Sequence, residues 1–373
     1  MRWLFWAATA LIVYTYSGYP AWLWLRARLR PWPVLRSEHL PAVSIVMVVR
    51  NEERWLERKL RNLLTLDYPA ELSQIVVVSD GSTDRTDAIL RTHADDPRVQ
   101  VVMNQLSRGK ASGLNDAVAV AAGEVIVFTD ARQQIESGAV RILMESFADP
   151  EVGCVSGALM LGDPESGEAA RGMGLYWRIE KTVRILESES ASMVGATGAI
   201  YAVRRELLGE VPQGTILDDV YIPMQVVRQG KRVIFEPRAR AWDSPDLGGD
   251  REFARKVRTL SGNYQLVQLA PWLLSGSNPL RFEFVSHKLL RLVVPFGLAG
   301  VLLASMFLSG PFYRSALAVQ VVFYGLSLLA GLHLSRGPLA RMSDAALTFV
   351  LLNSAAAVAF VNFLTGRKAV WIR

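Results

Sequence analysis

The sequence predicts an α/β domain joined to α-helical transmembrane segments. Three observations predict it. Short apolar runs alternate with helical patterns between residues 43 and 129, polar residues collect where those runs end, and long uncharged runs flank this polar middle. The chain of 373 residues is 51% apolar and has a mean hydropathy of +0.21, values that exclude intrinsic disorder. Its net charge of +6 fits an anionic membrane, a phosphate-bearing substrate or nucleic acid. The lone cysteine, Cys154, excludes an intramolecular disulfide framework and a thiolate-rich metal site, and reads as a small core residue.

About 20 apolar residues in a helix cross the hydrocarbon core of a bilayer. Uncharged runs of that order occur at Trp3–Leu25, Leu292–Tyr313, Ser315–Ser335 and Ala345–Gly366. The first is aromatic-rich and has no evident small-residue cleavage site, so it reads as a retained anchor rather than a signal peptide. Thr259–Leu280 is also uncharged, but Asn263, Gln265, Gln268, Asn278 and two prolines make it an interfacial stretch. Arg26, Arg28, Arg30 and Arg36 follow the first run, and Arg281, Lys288 and Arg291 precede the second. Basic flanks on both sides place the middle domain in the cytoplasm. Three further spans then put the C-terminus outside, whereas Arg367, Lys368 and Arg373 favour the inside. The expected division is an anchor at 1–36, a cytoplasmic domain at 37–250, interfacial helices at 251–291 and three membrane helices at 292–373.

Within the middle, Val43–Val49 reads as a buried strand, and Glu52–Leu66 has Leu56, Leu60, Leu63 and Leu64 at helical spacing. A strand at Gln74–Ser79, a helix at Thr83–Thr92 and a strand at Val99–Met103 follow. A helix at Lys110–Ala122 and a strand at Val125–Thr129 complete the series. This succession predicts a mainly parallel sheet covered on both faces. Ligands of such sheets bind beyond the carboxyl ends of the strands. Three strand ends carry polar residues: Arg50-Asn51-Glu52-Glu53, Asp80-Gly81-Ser82-Thr83-Asp84 and Asp130-Ala131-Arg132.

Val49-Arg50-Asn51-Glu52-Glu53, Ser79-Asp80-Gly81-Ser82-Thr83-Asp84, Arg108-Gly109-Lys110 with Asn115, and Thr129-Asp130 resemble the nucleotide-sugar half of a family 2 glycosyltransferase. Leu217-Asp218-Asp219 resembles the family's later acidic motif, and Arg255-Lys256-Val257-Arg258 its QxxRW box. Each motif is weak alone; together, in the family's order over Val43–Gln265, they are specific. The flanking spans resemble those of the membrane-embedded members, such as hyaluronan and cellulose synthases. The resemblance implies a GT-A fold (the Rossmann-like nucleotide-diphospho-sugar transferase architecture), an inverting reaction and a uridine-diphosphate sugar donor.

Each residue also has a reading from its own chemistry. Asp80 ends an apolar strand, where a carboxylate accepts from a ribose or a uracil N–H; the alternative is a plain Asp-Gly turn. Lys110 opens a helix after a glycine, an anion site made of amides, ammonium and helix dipole. By resemblance it meets the donor's uridine or phosphates; the alternative is a solvated lysine. Arg50, Asn51 and Glu52 belong to the same nucleotide-sugar side. Asp130 ends the strand Val125–Thr129 and suits Mg²⁺ or Mn²⁺, which would stabilise a departing diphosphate. The family usually has a second acid two residues later; here it is Arg132, so one metal ligand is missing.

Asp218 and Asp219 precede the helical pattern Ile222–Val227. A sugar hydroxyl needs a carboxylate to take its proton, and the resemblance assigns the second acid, Asp219, as that base. Asp218 supports the acceptor side; a solvated acidic pair at a helix start is the alternative. Arg258 matches the family's diphosphate-binding arginine, a role suited to a forked donor. Arg255 stands at the glutamine of the box and Thr259 at its tryptophan, which weighs against processive synthesis. The alternative is a basic interfacial helix. On the acceptor side, Thr197-Gly198-Ala199 resembles the acceptor loop, or is a close-packed turn. Trp177 is a candidate for stacking on a sugar face, or a core aromatic. His287, Lys288 and Arg291 suggest a membrane-surface helix. Gln320, Asn353 and Asn362 either line a polymer path or form ordinary interhelical hydrogen bonds.

The expected activity is inverting transfer of a sugar from a UDP-sugar to a growing polysaccharide at the inner face of the cell membrane, with export as a further possibility. The alternatives are transfer of one sugar to a lipid acceptor and a non-catalytic nucleotide-sugar-binding channel subunit. Expected partners are the UDP-sugar, a polysaccharide or lipid-linked acceptor and membrane lipids. Nucleic acid is excluded, because the basic residues cluster at the membrane flanks and the diphosphate site.

Overall fold

The computed structural model describes residues 1–162, 175–243, 249–332, 334 and 337–366. Helix α1 (Arg2–Val13), a π turn at Tyr14–Gly18 and α2 (Tyr19–Leu29) lead into β1 (Val43–Val49), all of whose residues are buried. Helix α3 (Leu56–Leu64) follows, with Leu56, Leu60 and Leu63 on its buried face. Each such leucine contributes about 2 kcal/mol of burial. Next come β2 (Ser73–Asp80), α4 (Thr86–His93), β3 (Val99–Asn104), α5 (Lys110–Val120) and β4 (Val125–Phe128). These elements match the sequence expectation to within a few residues.

The second half of the domain runs β5 (Gln134–Ile135), α6 (Ala139–Glu145), β6 (Val152–Leu161), α7 (Leu175–Ser190), β7 (Tyr201–Arg204), α8 (Asp218–Arg228), β8 (Arg232–Asp243) and α9 (Gly249–Leu269). One sheet results, in the order β3-β2-β1-β4-β7-β6-β8-β5. The first four strands are parallel, with Val43 opposite both Ser73 and Val125. Strand β7 then runs antiparallel to β4 and β6, and β5 antiparallel to β8. The expected mainly parallel sheet therefore holds for its first half; the second is mixed. An apolar run such as Tyr201–Arg204 has the same pattern in either direction, so periodicity does not encode strand polarity.

The two faces carry separate cores. Val46, Val48, Val76 and Val78 pack against Ala111, Leu114 and Ala117 of α5. Ile45, Met47, Ile75 and Val77 pack with Leu56 and Leu60 of α3. Successive side chains of one strand thus serve opposite layers. Where the chain enters β4, Gly123 approaches β1 so closely that a Cβ there would lie 2.4 Å from the Ser44 nitrogen. The Ser44 hydroxyl accepts from Gly123 N at 2.9 Å and donates to Gln74 Oε1 at 2.6 Å.

Beyond the domain lie α10 (Arg281–Phe284), a π turn at Val285–Leu289, α11 (Leu290–Phe307), α12 (Pro311–Gly331) and α13 (Pro338–Leu364). Among the described residues, three helices are long and apolar enough to cross a membrane: Arg281–Phe307, Pro311–Gly331 and Leu339–Leu364. The N-terminal run Trp3–Leu25 forms α1 and α2, divided by the π turn at Tyr14–Gly18. It packs on α11, where Gly297 and Gly300 admit Leu4, Leu11 and Ile12. The helix expected from Leu292 starts at Arg281, so His287, Lys288 and Arg291 belong to it. Within the stretch expected at the interface, Tyr264 of α9 stacks on Phe363 of α13 at 4.9 Å between centroids. Arg367, Lys368 and Arg373 lie outside the described residues.

Substituting Gly123→Ala forces a backbone shift where β1 and β4 pair. It is expected to lower stability by roughly 2 kcal/mol or more, read as a fall in the thermal unfolding midpoint of the detergent-solubilised protein.

Candidate active site

The polar residues converge at the carboxyl ends of β1, β2 and β4. Asn51 adopts a left-handed backbone, φ 56°, a strained conformation that asparagine tolerates better than most residues. Its Oδ1 accepts from Thr83 N at 2.8 Å, and Glu53 Oε2 accepts from Arg85 N at 3.0 Å. In return, Glu53 N donates to Asp84 and Glu52 N to the Thr86 hydroxyl. The first two polar motifs are thus stitched into one rim, and Asn51 is a structural member of it. The Glu52 carboxyl is pushed up to about 7 by burial and by Asp130, with Arg132 opposing and Asp84 adding to the rise. Beside it, Arg50 Nε is buried without a hydrogen-bond partner.

Asp80 faces its own protein. Its carboxylate accepts from the Ser107 hydroxyl at 2.7 Å, Arg108 N at 2.8 Å and Gly109 N at 2.9 Å. Gly81 permits this closure: its φ is +65°, and a Cβ would stand 2.5 Å from Ser107 N. Asp80 therefore shapes the loop that delivers Lys110 to the start of α5.

Lys110 is the hub of the site. Its ammonium lies 3.0 Å from Asp130 Oδ1 and 3.2 Å from Asp218 Oδ2. Burial lowers its pKa, but Asp130 and Asp218 override this and hold it above the ordinary lysine value. Lys110 thus joins the two acidic motifs that the sequence separates by almost ninety residues. Asp219, next along α8, has its carboxyl raised to about 6 by withdrawal from water and by Asp218, with Lys110 opposing. Gly198 leaves room at that carboxylate, since a Cβ there would be 3.3 Å from Asp219 Oδ2. Ala196 N donates to the Asp219 carbonyl at 2.6 Å. The Thr197-Gly198-Ala199 turn is therefore both close-packed and adjacent to Asp219.

Helix α9 is locked to the loop before Asp218. Gln265 accepts from Ile216 N at 2.9 Å and donates to the Gly214 carbonyl at 2.8 Å. Gly262 lets Leu217 approach. Arg255 and Arg258 share the helical face of Gly262 and Gln265 by their spacing. Arg255 is exposed, whereas Arg258 is partly buried.

Arg132 pairs with Asp243 at the end of β8, and Gln133 Nε2 donates to the same carboxylate at 3.1 Å. Among the described residues no three His, Cys, Asp or Glu side chains form a metal cluster. Asp130, with 41% of its side chain exposed, is the accessible hard oxygen ligand at this strand end.

Trp177 lies on α7, but its side chain is outside the described residues. Two buried features escaped the sequence reading. His287, expected at a membrane surface, is 1% exposed. Its Nδ1 is 2.8 Å from Glu187, and its Nε2 is 3.1 Å from Glu180. Despite burial, Arg291, His287 and Arg184 hold the Glu180 carboxyl well below its usual range. Arg184 also bonds the Thr197 hydroxyl. The other feature is Lys59, a buried lysine below the Asp130 turn. Glu180 and Glu187 sit two turns apart in a charge-rich helix, which by sequence reads as solvated.

A sheet of this order, with a lysine-bridged acidic cluster at its strand ends, is a GT-A nucleotide-sugar transferase fold. Residues 44–211 match the family model described as glycosyl transferase family 2. That match spans a little under half of the chain and bears out the family resemblance of this domain. The poly-beta-1,6-N-acetyl-D-glucosamine synthase of Staphylococcus aureus (strain COL) is 25% identical over 254 residues, which cover 65% of this chain and 60% of that enzyme. The synthase of Staphylococcus epidermidis is 25% identical over 252 residues, 64% of this chain and 59% of the relative. The chain therefore spans about three-fifths of the length of these relatives. Among solved structures, a mannosyltransferase from Pyrobaculum calidifontis in complex with GDP-Man and Mn²⁺ superimposes with a TM-score of 0.76 and 25% identity. That likeness covers 98% of this chain and 99% of the other, the apolar helices included.

If Asp80 shapes the Ser107–Gly109 loop, Asp80→Asn replaces acceptor capacity with an amide that faces three donors. The expected loss is about 3 kcal/mol, visible as a lower unfolding midpoint with no nucleotide present. An unchanged midpoint with weakened nucleotide binding would assign Asp80 to the ligand instead.

Proposed function

We propose that this protein transfers a sugar from a nucleoside-diphosphate sugar, with UDP the expected carrier, to a growing polysaccharide at the inner face of the cell membrane. The observation that carries the reading is the Lys110 bridge between Asp130 and Asp218, with the raised carboxyl of Asp219 alongside. The likeness to poly-N-acetylglucosamine synthases supports a polysaccharide acceptor. The unpartnered Arg50 Nε supports an anionic or carbonyl group of the donor on the nucleotide side.

In this reading the acceptor hydroxyl oxygen attacks the anomeric carbon as that carbon's bond to the diphosphate breaks. Asp219 takes the hydroxyl proton, and the electron pair of the broken bond leaves on the diphosphate. A single displacement of this kind inverts the anomeric centre. Asp218 and Lys110 hold the Asp219 side, while Arg258 and Arg255 on α9 offer positive charge to the diphosphate. Asp130 would hold Mg²⁺ or Mn²⁺ together with the diphosphate, and such an ion would neutralise charge on the departing oxygen. The donor set fits: one open carboxylate suits an ion bound mainly by phosphate and water. The Mn²⁺ in the mannosyltransferase structure supports a divalent ion.

A second reading, transfer of one sugar to a lipid-linked acceptor, is favoured by Thr259, which stands exposed on α9 where polymer-making relatives carry tryptophan. Incubating the protein with labelled UDP-sugars and GDP-mannose, then sizing the products, separates the readings. Long polymer supports the first and a single labelled lipid the second. Nucleotide binding without turnover supports a non-catalytic channel subunit.

Asp219→Asn is expected to abolish transfer while nucleotide affinity stays within a few-fold. Transfer by the wild type should rise with pH through about 6, as Asp219 ionises. The folded carboxyl holds its proton to higher pH than the unfolded one. Ionising it therefore costs stability as pH rises through about 6, and the cost is fully present at neutral pH. The unfolding midpoint of Asp219→Asn at pH 7 should consequently be unchanged or higher; a lowered midpoint would mark Asp219 as structural.

Excess chelator is expected to remove most turnover, and Asp130→Asn to remove most of the metal-dependent activity. A wild-type rate that survives chelation would assign the diphosphate charge to the arginines alone.

A further inference from the structure

Lys59 lies on α3, 1% exposed, beneath the turn that carries Asp130. Its ammonium donates to the Thr129 hydroxyl at 2.8 Å and to the Gln133 carbonyl at 2.7 Å. These two acceptors bracket Asp130 and Arg132, so both ends of the turn are tied to one point on α3. The Thr129 hydroxyl passes the interaction on, donating to the Ala199 carbonyl at 2.8 Å. Ala199 follows Gly198, the residue that faces the Asp219 carboxylate. One ammonium therefore links a helix of the sheet's outer layer, the Asp130 turn and the turn beside Asp219.

Packing alone gives no reason for a lysine here. Methionine has a similar length and volume and would fill the same space without burying a charge. Burial draws the Lys59 ammonium down to about 7, with Asp130 opposing and Arg58 adding to the fall. The unfolded lysine holds its proton to much higher pH. The buried charge therefore costs stability fully below about pH 7, and progressively less as pH rises towards the ordinary lysine range. A residue that weakens the fold, whose ammonium bonds both ends of the Asp130 turn and reaches the Ala199 turn through the Thr129 hydroxyl, is placed there for those turns.

We propose that Lys59 is a positioning residue for sugar transfer: it fixes the Asp130 turn and, through the Thr129 hydroxyl, sets the Ala199 turn at a constant distance from it. The proposal rests on the transfer reading above, in which Asp130 serves the diphosphate and Asp219 the acceptor. It adds a residue that touches neither substrate. Donor and acceptor would then meet in register because one buried cation holds both turns.

The test compares wild type, Lys59→Met and Lys59→Gln in the detergent-solubilised protein, membrane helices included. Lys59→Met should unfold no earlier than wild type at pH 6.5, yet lose 10- to 100-fold in kcat with KM for the donor changed less than threefold. Lys59→Gln, whose amide can donate to Thr129 and Gln133, should recover part of that loss. Amide hydrogen exchange without substrate should quicken in Lys59→Met at residues 129–135 and 199–202, and stay unchanged in β2 and β3. A Lys59→Met enzyme with kcat within twofold of wild type would overturn the proposal, as would unchanged exchange at both turns. A variant that unfolds early and loses activity only in proportion would assign Lys59 to general stability, and also overturns it. If the wild type transfers no sugar from any donor in the panel, the transfer reading fails, and the exchange measurement still decides whether Lys59 couples the turns.

Discussion

An ammonium held between two carboxylates organises this site. Lys110 brings the end of β4 and the start of α8 together, because its one ammonium lies 3.0 Å from Asp130 and 3.2 Å from Asp218. Without it, Asp130, Asp218 and Asp219 would repel one another in a partly desolvated cleft. Removing one partner from such a pair typically costs about 3–5 kcal/mol. The Asp80 carboxylate, the left-handed Gly109 and the helix start of α5 all serve to deliver this lysine. The same arrangement leaves the Asp219 carboxyl raised to about 6, which suits it to exchange a proton with a hydroxyl.

Lys59 and Lys110 show how surroundings set the chemistry of one residue type. Both are withdrawn from water, yet the ammonium of Lys110 is held above its ordinary value and that of Lys59 falls to about 7. The difference is the partners. Lys110 contacts two anions, whereas Lys59 contacts a hydroxyl and a carbonyl, whose dipoles do not offset the loss of hydration. One lysine therefore carries a permanent charge in the acidic cluster, and the other is a hydrogen-bonding brace.

The domain and the apolar helices are joined by a second polar cluster. Glu180 and Glu187 of α7 meet His287 and Arg291 of the first long apolar helix, and Tyr19 of the N-terminal helix donates to Glu187 at 2.6 Å. Through Arg184 this cluster reaches Thr197, beside the turn that faces Asp219. Helix α9 forms the other tie, bound to the Asp218 loop by Gln265 and to α13 by Tyr264. The Asp218–Asp219 side of the site is thus anchored from two directions.

The sequence by itself determined the parallel half of the sheet, the polar strand ends and the family. Runs such as Val43–Val49 are short, apolar and rich in β-branched residues, the pattern of a strand buried on both faces, and the motifs are local strings readable without coordinates. It also marked Arg132 as a departure from the family's second acid. Tertiary structure decided the rest. The polarity of β7, the pairing of Arg132 with Asp243, the inward turn of Asp80 and the burial of His287 and Lys59 each depend on residues distant in the chain. A charged side chain has the same letter whether it faces water or a partner. Only the approach of that partner, which the fold brings about, settles which of the two a residue such as Lys59 or Glu180 meets.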